Sequence, residues 1–184
     1  MYLGIDVGTS GIKAVIIDDK GEVAAESHAS LTVSHPHPLW SEQDPSDWWS
    51  ATNSAVSQLD AAVRAKVRAI GLAGQMHGAV LLNKARKVIR PAILWNDGRS
   101  GAECDELLRR EPRAHDLTGN LIMPGFTAPK LLWVKGNEPK AWDETDLVLL
   151  PKDYIRLRMT GETATDLSDA SGTLWVDVAE RKWS

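Results

Sequence analysis

The chain is poor in cysteine. Cys104 stands alone among 184 residues. No intrachain disulfide can form, and a single thiol fits a reducing cytoplasm. Positive charge is not in excess either: 21 Lys and Arg stand against 25 Asp and Glu, for a formal net charge of −4. The basic residues are scattered and sit near acids, which excludes the electrostatic footprint of a nucleic-acid binder. No apolar run approaches the roughly 18 residues that cross a bilayer, so no membrane association is expected. The N-terminus lacks the basic first region of a signal peptide, and Asp6 and a glycine turn interrupt its apolar stretch. Repeats and low-complexity tracts are absent. Phe and Tyr are scarce, one and two, against eight Trp. What remains is ordinary globular composition, 43% apolar and 25% charged, at a length that suits one domain.

What is present begins at "YLGIDVGTSGIKAVIID", residues 2–18. An apolar run ending in Asp6 meets a glycine turn, Gly8-Thr9-Ser10-Gly11. The turn is not a P-loop, because G-x-x-x-x-G-K-[ST] is missing. Nor does it open into a helix, as a dinucleotide fingerprint must. The residues that follow, Ile12 to Ile17, are rich in β-branched side chains, and Asp18 to Gly21 is a second turn before another strand over 22–30. The unit reads as a β-meander. Glycines let backbone N–H groups approach an anion, Thr9 and Ser10 add hydroxyls, and Lys13 adds charge. Asp6 beside phosphates calls for an intervening cation, and Mg²⁺ is the natural one. The alternative is a plain type I′ or II′ hairpin turn, and pattern alone leaves both open.

Further along, residues 31–43 read as a loop, and Asp44-Pro45 as the cap and first position of an amphipathic helix over about 45–64. Residues 67–74, "VRAIGLAG", read as a buried strand, "QMHG" (75–78) as a turn at its end, and "AVLLN" and "VIRPAIL" as strands. "WNDGRS" (95–100) leads into a helix over 100–110. "TGNLIMPGFTAPK" reads as a long connection, "PKLLWVKG" as a short helix stopped by Gly136, "DLVLL" as a strand, and Pro151 to Gly161 as a helix with both ends marked. A turn of helix and a strand close the chain. Strands alternating with helices after a meander give an α/β class. Ligands of such sheets bind beyond the C-terminal strand ends. The turns Gly8–Gly11, Gln75–Gly78 and Trp95–Arg99 all follow strands, so they are expected to converge on one cleft.

Within that cleft, His77 is either a structural histidine or a hydrogen-bonding contact for a hydroxylated ligand. His35 and His37 lack further ligands at metal-like spacing and read as a solvated loop. Asn96, Asp97 and Arg99 supply donors and acceptors suited to a polyol, or else a turn and helix cap. Trp95 is the tryptophan best placed to pack on a sugar, while Trp48 and Trp49 suit a helix interface. Asp153, Asp166 and Asp169 are explained by helix-start and turn roles.

The opening hairpin resembles the first phosphate hairpin of the actin, heat-shock-chaperone and sugar-kinase superfamily. "HPLWSEQDPSDWW", "GLAGQMHGAVLL", "PAILWNDGRS", "TGNLIMPGFTAPKLLWV", "LLPKDYIRLRMTGE" and "TDLSDASGTLWVDV" together resemble the N-terminal part of the FGGY carbohydrate kinase family, across essentially the whole chain. The resemblance implies a ribonuclease-H-like (actin/hexokinase-like ATPase) α/β fold, with ATP and Mg²⁺ as cofactors. The implied reaction is ATP-dependent phosphorylation of D-xylulose to D-xylulose 5-phosphate. Met76 and His77 are carried over as sugar contacts, with Trp95, Asn96 and Asp97 beside them. Gly8, Thr9, Ser10 and Lys13 match the phosphate hairpin, and Asp6 the acid near Mg²⁺, acting through water. Family members are longer and have two such domains. Residues 1–184 are therefore expected to be the N-terminal part of the first, sugar-binding domain, with the catalytic base and the adenine pocket beyond Ser184. The rival reading is a non-catalytic sugar-binding or regulatory module on the same scaffold. A chaperone-type ATPase is disfavoured, since nothing in that class calls for the QMHG and WNDGR turns. Oligomeric state, a homodimer included, is not legible from one sequence.

Overall fold

The computed structural model describes residues 1–184. The meander forms as expected: β1 (Tyr2–Val7), β2 (Gly11–Ile17) and β3 (Val23–Ser30) pair antiparallel in sequence. Alternation sets the faces. Leu3, Ile5 and Val7 of β1 and Ile12, Ala14 and Ile16 of β2 point inward, while Gly4, Asp6 and Lys13 point out. The turn between β1 and β2 is closed by Gly8 N–H donating to the Gly11 carbonyl at 3.1 Å. It is not type I′ or II′, because none of its residues has positive φ. Its glycines are needed for space instead. A Cβ on Gly8 would sit 2.9 Å from the Gly11 oxygen, and one on Gly11 would sit 2.7 Å from the Ala29 oxygen.

After the loop comes a short strand, β4 (Glu42–Gln43), then α1 (Pro45–Gln58). Asp44 caps α1, its carboxylate accepting the Ser46 N–H at 2.8 Å. Trp48, Ala51, Thr52 and Ala55 of α1 are buried, and the helix lies against β1, β2 and β3. The single helix expected over 45–64 is in fact two. Leu59 leaves the helix to enter the core, and Asp60 caps a short α2 (Ala61–Arg64) by accepting the Val63 N–H.

The chain then returns as β5 (Ala69–Gly74), parallel to β1, giving the sheet order β3-β2-β1-β5. The buried strand expected here is an edge strand, and Ile70 is 47% exposed. The apolar run "AIGLAG" suits burial, but β5 is paired on one side only. The sheet face bearing Gly4, Asp6, Gly71 and Ala73 is exposed as well.

The second half shares the core of this unit through Leu82, Leu94, Tyr154 and Ile155. β6 (Val80–Leu82) and β7 (Ala92–Ile93) are followed by α3 (Gly101–Arg110), α4 (Ala114–Thr118), α5 (Thr127–Asn137) and α6 (Pro139–Glu144). β8 (Leu147–Leu149), α7 (Pro151–Thr160), α8 (Leu167–Ala170), β9 (Val176–Asp177) and β10 (Lys182–Trp183) complete the chain. β6 pairs with β8 and β7 with β4. The strand expected over 88–94 is reduced to β7 and a bridge at Val88, because Pro91 has no N–H for a ladder. α4 and α6 are short helices that the expected elements do not include. Gly136 lies inside α5 and does not stop it; the helix ends before Glu138 and Pro139. Gly161 caps α7 in the left-handed conformation, φ 76°, as expected. A second, smaller core of Ala79, Leu81, Ile93, Leu131 and Val134 ties α5 to the short strands.

Candidate substrate and phosphate site

The three polar turns converge, though not by the expected route. β1 and β5 are neighbours, whereas β7 belongs to another small sheet. Side chains make the junction. Thr9 Oγ1 donates to Gln75 Oε1 at 2.9 Å, and Trp95 Nε1 donates to Thr9 Oγ1 at 3.0 Å. Gln43, which sequence reasoning missed, sits between them. Its Nε2 donates to the Thr9 carbonyl at 2.8 Å, and its Oε1 accepts from Gln75 Nε2 at 3.0 Å and Trp48 Nε1 at 2.9 Å. Gln43 and Gln75 are buried. Only their long-range partners mark them, and no local pattern signals those.

This network alters the roles expected at the hairpin. The Thr9 hydroxyl, expected to donate to phosphate, already gives its proton to Gln75 and accepts from Trp95. Lys13 does not reach for the turn. It lies on the exposed sheet face opposite Asp6 in register, and its ammonium pairs with Glu26 at 3.2 Å. The Gly8 N–H is spent on the Gly11 carbonyl, so the groups left for an anion are the Thr9 and Ser10 N–H groups and the exposed Ser10 side chain. Asp6 is exposed on the strand below. No group of three or more metal-ligating side chains forms anywhere in the chain. A lone carboxylate fits Mg²⁺ only in the manner common for this ion, which keeps several waters and takes its remaining ligands from phosphate oxygens.

The Gln75–Gly78 turn is tightly built. Gly78 N–H donates to the Met76 carbonyl at 2.8 Å across His77, whose φ is 64°. That is a γ-turn of the positive-φ kind, the rare and strained form. A Cβ on Gly78 would strike the Pro151 ring at 2.7 Å, and one on Gly172 would lie 2.3 Å from the His77 ring. The ring also packs on Phe126, with centroids 4.4 Å apart. Burial pushes the His77 pKa down to about 4, helped by the nearby Lys130 charge and opposed by the Gly172 backbone. The imidazole is therefore neutral near pH 7, with one donor and one acceptor. Met76 is exposed and lines a hollow with Ala73, Gly74, Lys152, Ser168 and Asp169.

The Trp95–Arg99 loop divides. Trp95 stays half-exposed with its Nε1 tied to Thr9, so a ring face is open to a ligand. Asn96 turns toward a surface hollow made by the His35–Ser41 loop. Asp97 corrects an expectation outright. It is 2% exposed, and its oxygens accept from Ser41 N at 2.6 Å, Arg99 N at 3.0 Å, Arg99 Nε at 2.9 Å and Arg99 Nη2 at 2.7 Å. The carboxylate anchors the loop and is not presented to a ligand. Arg99 is held too, its guanidinium 3.6 Å from the Trp40 ring centroid and 2.7 Å from Glu42.

Asp153, Asp166 and Asp169 surround one lysine. Lys152 Nζ lies 2.7 Å, 3.0 Å and 2.9 Å from them in that order. Burial disfavours the Lys152 charge, but hydrogen bonds to the aspartates outweigh it, and the net shift is upward. Asp166 also caps α8, as expected. His35 Nδ1 donates to the Trp40 carbonyl at 2.8 Å and His37 packs on Trp40, in keeping with a loop role. The Cys104 thiol is buried, which raises its pKa to about 11 and leaves it unreactive.

The family model described as the N-terminal domain of the FGGY family of carbohydrate kinases matches residues 1–184. This chain belongs to that family. It is 60% identical over 185 residues to the xylulose kinase of Escherichia coli (strain K12), covering 100% of this chain and 38% of that relative. The xylulose kinase of Bacillus subtilis (strain 168) is 42% identical over 186 residues, covering 99% of this chain and 37% of that relative. A crystal structure of a xyloylose kinase from Brucella ovis superposes with a TM-score of 0.97 at 50% identity, covering 100% of this chain and 38% of that one. The FGGY fold is thus the α/β, actin/hexokinase-like one expected. The chain spans about 38% of the length of the curated relatives it matches most strongly. No helix is long and apolar enough to cross a membrane.

Proposed function

We propose that residues 1–184 form the first part of the sugar-binding domain of a kinase that transfers the ATP γ-phosphoryl group to the 5-hydroxyl of D-xylulose. The observation that carries this reading is the junction of Thr9, Gln75 and Trp95. It locks the phosphate hairpin, the Met76–His77 turn and an open tryptophan face into one rigid group. Identity of up to 60% with xylulose kinases supports the substrate.

In this reading Met76 and His77 orient the ketose, the neutral imidazole meeting a sugar hydroxyl through Nε2, since Nδ1 is buried against Gly172. Trp95 offers its face to sugar C–H groups. The hairpin amides of Thr9 and Ser10, which have no partner within the turn, receive phosphate oxygens. Asp6 would hold Mg²⁺ through water, and the ion would supply neutralisation of the phosphate charge. The hydroxyl proton needs a base, and we place that aspartate, with the adenine pocket, beyond Ser184. The test is ADP release by the full-length protein with D-xylulose and a panel of other pentuloses and pentitols. Preferential turnover of D-xylulose supports the reading, and absence of sugar-dependent ADP release refutes it.

A further inference from the structure

Sugar contact by Met76 and His77 requires that the turn carrying them hold its shape. Its strained γ-turn would relax if the His77 peptide rotated, and the imidazole would swing with it. Two side chains oppose that rotation. Thr127 Oγ1 donates to the His77 carbonyl at 3.1 Å, and Lys130 Nζ donates to the same oxygen at 2.9 Å. Both residues are fully buried. They stand three apart on the first turns of α5 and so share one face of it.

Lys130 is the informative one. A buried ammonium normally has a carboxylate partner, because its desolvation is otherwise uncompensated. Lys130 has none within salt-bridge range, and its one hydrogen bond goes to His77. Burial pushes its pKa down to about 7; the Asp97 charge opposes the shift and the Arg99 charge adds to it. Neither the charge nor the depth of Lys130 is explained by packing alone. An apolar side chain of that length would fill the space at lower cost.

We propose that Thr127 and Lys130 are positioning residues for the sugar, fixing the His77 carbonyl so that the His77 ring is held at the angle that meets the substrate. The inference rests on the reading of His77 as a sugar contact. It assigns α5 a part in specificity, through a face that touches no ligand itself.

The test uses the full-length protein and D-xylulose kinetics. Thr127→Val and Lys130→Met each remove one donor at nearly constant volume. Each is expected to raise the sugar KM about fivefold to tenfold, the usual worth of a buried hydrogen bond, with the ATP KM within about twofold. Thr127→Ser keeps the hydroxyl and should recover most of the loss. In the double variant His77→Ala, Thr127→Val, the second change should add less than about twofold, since both act through one ring. If His77→Ala weakens sugar use while Thr127→Val and Lys130→Met leave the sugar KM unchanged, positioning by α5 is wrong and the His77 contact stands. Unchanged sugar kinetics in His77→Ala would remove both. A fall in thermal stability with sugar and ATP KM values moving together would show a structural role only and would also overturn the proposal.

Discussion

At the scale of single residues, two side chains carry most of the chemistry proposed. Removing the His77 imidazole should cost the sugar a hydrogen bond, so His77→Ala is expected to lower kcat/KM for D-xylulose by tenfold or more, with ATP affinity little changed. His77 also links stability to pH. Its folded pKa, about 4, lies below its ordinary 6.5. Between those values the unfolded chain binds more protons, so stability falls as pH drops through that window. His77→Ala should flatten this fall, measurable as urea midpoints at several pH values from 4 to 7. A slope equal to wild type would contradict the burial assigned to the ring. Asp6 is exposed and unpaired by any lysine of its own sheet face, since Lys13 is engaged with Glu26. Asp6→Asn is therefore expected to leave the fold intact, lower kcat and raise the Mg²⁺ concentration needed for half-maximal rate. Unaltered Mg²⁺ dependence would end the assignment. Asp97 shows where residue-level reading from sequence fails. Asn-Asp-Gly signals a turn and supplies polyol-binding atoms equally well. Only the positions of Ser41 and Arg99, far apart in sequence, decide that the carboxylate is consumed internally.

Elements were legible to the degree that their signals are local. The meander follows from period-two alternation, α1 from Asp44-Pro45, and the end of α7 from Gly161, because each depends on neighbours a few residues away. α4 and α6 are 5 and 6 residues long, too short for an apolar period to mark them. The break at Leu59 was hidden because the apolar spacing continues through it. Gly136 misled for a related reason. It resembles a helix stop, but α5 runs past it, and a Cβ there would meet nothing within 4 Å. Gly136→Ala should consequently stabilise the protein by about 0.4–1 kcal/mol, seen as a higher thermal midpoint. A lower midpoint would mean the glycine is needed for backbone freedom after all. Gly11→Ala is the contrasting case. Its Cβ would press on the Ala29 carbonyl and the His28 ring, so the hairpin must shift and stability must fall.

At the scale of the whole molecule, the sheet is finished on one face and open on the other. α1 and α7 cover Leu3, Ile5 and Ile16, while Gly4, Asp6, Gly71 and Ala73 lie exposed beside the free edge of β5. The exposure of β5 is not legible in its apolar run, since it depends on what packs against the strand and not on its own residues. The same openness bears on catalysis. Phosphoryl transfer needs a base for the hydroxyl proton and a site closed to water. The acids within residues 1–184 that lie near Met76 are ill-suited to be that base. Asp153 and Asp169 are locked to Lys152, and Asp166 is shared between Lys152 and the α8 cap. Burial raises the Asp169 pKa against the pull of Lys152, but its carboxylate faces that ammonium at 2.9 Å and not the ligand. General-base help is typically worth about 10²- to 10⁴-fold, and orientation in a closed site supplies roughly 7–11 kcal/mol of a barrier. A polypeptide of residues 1–184 alone is thus expected to show no sugar-dependent ADP release above background, while the full-length protein turns over. The coupled assay is run on both at equal concentration with D-xylulose. Turnover by the short chain within about tenfold of the long one would place the base inside it, and Lys152→Met would then be the next variant, since freeing the three aspartates should change the pH profile if one of them is that base.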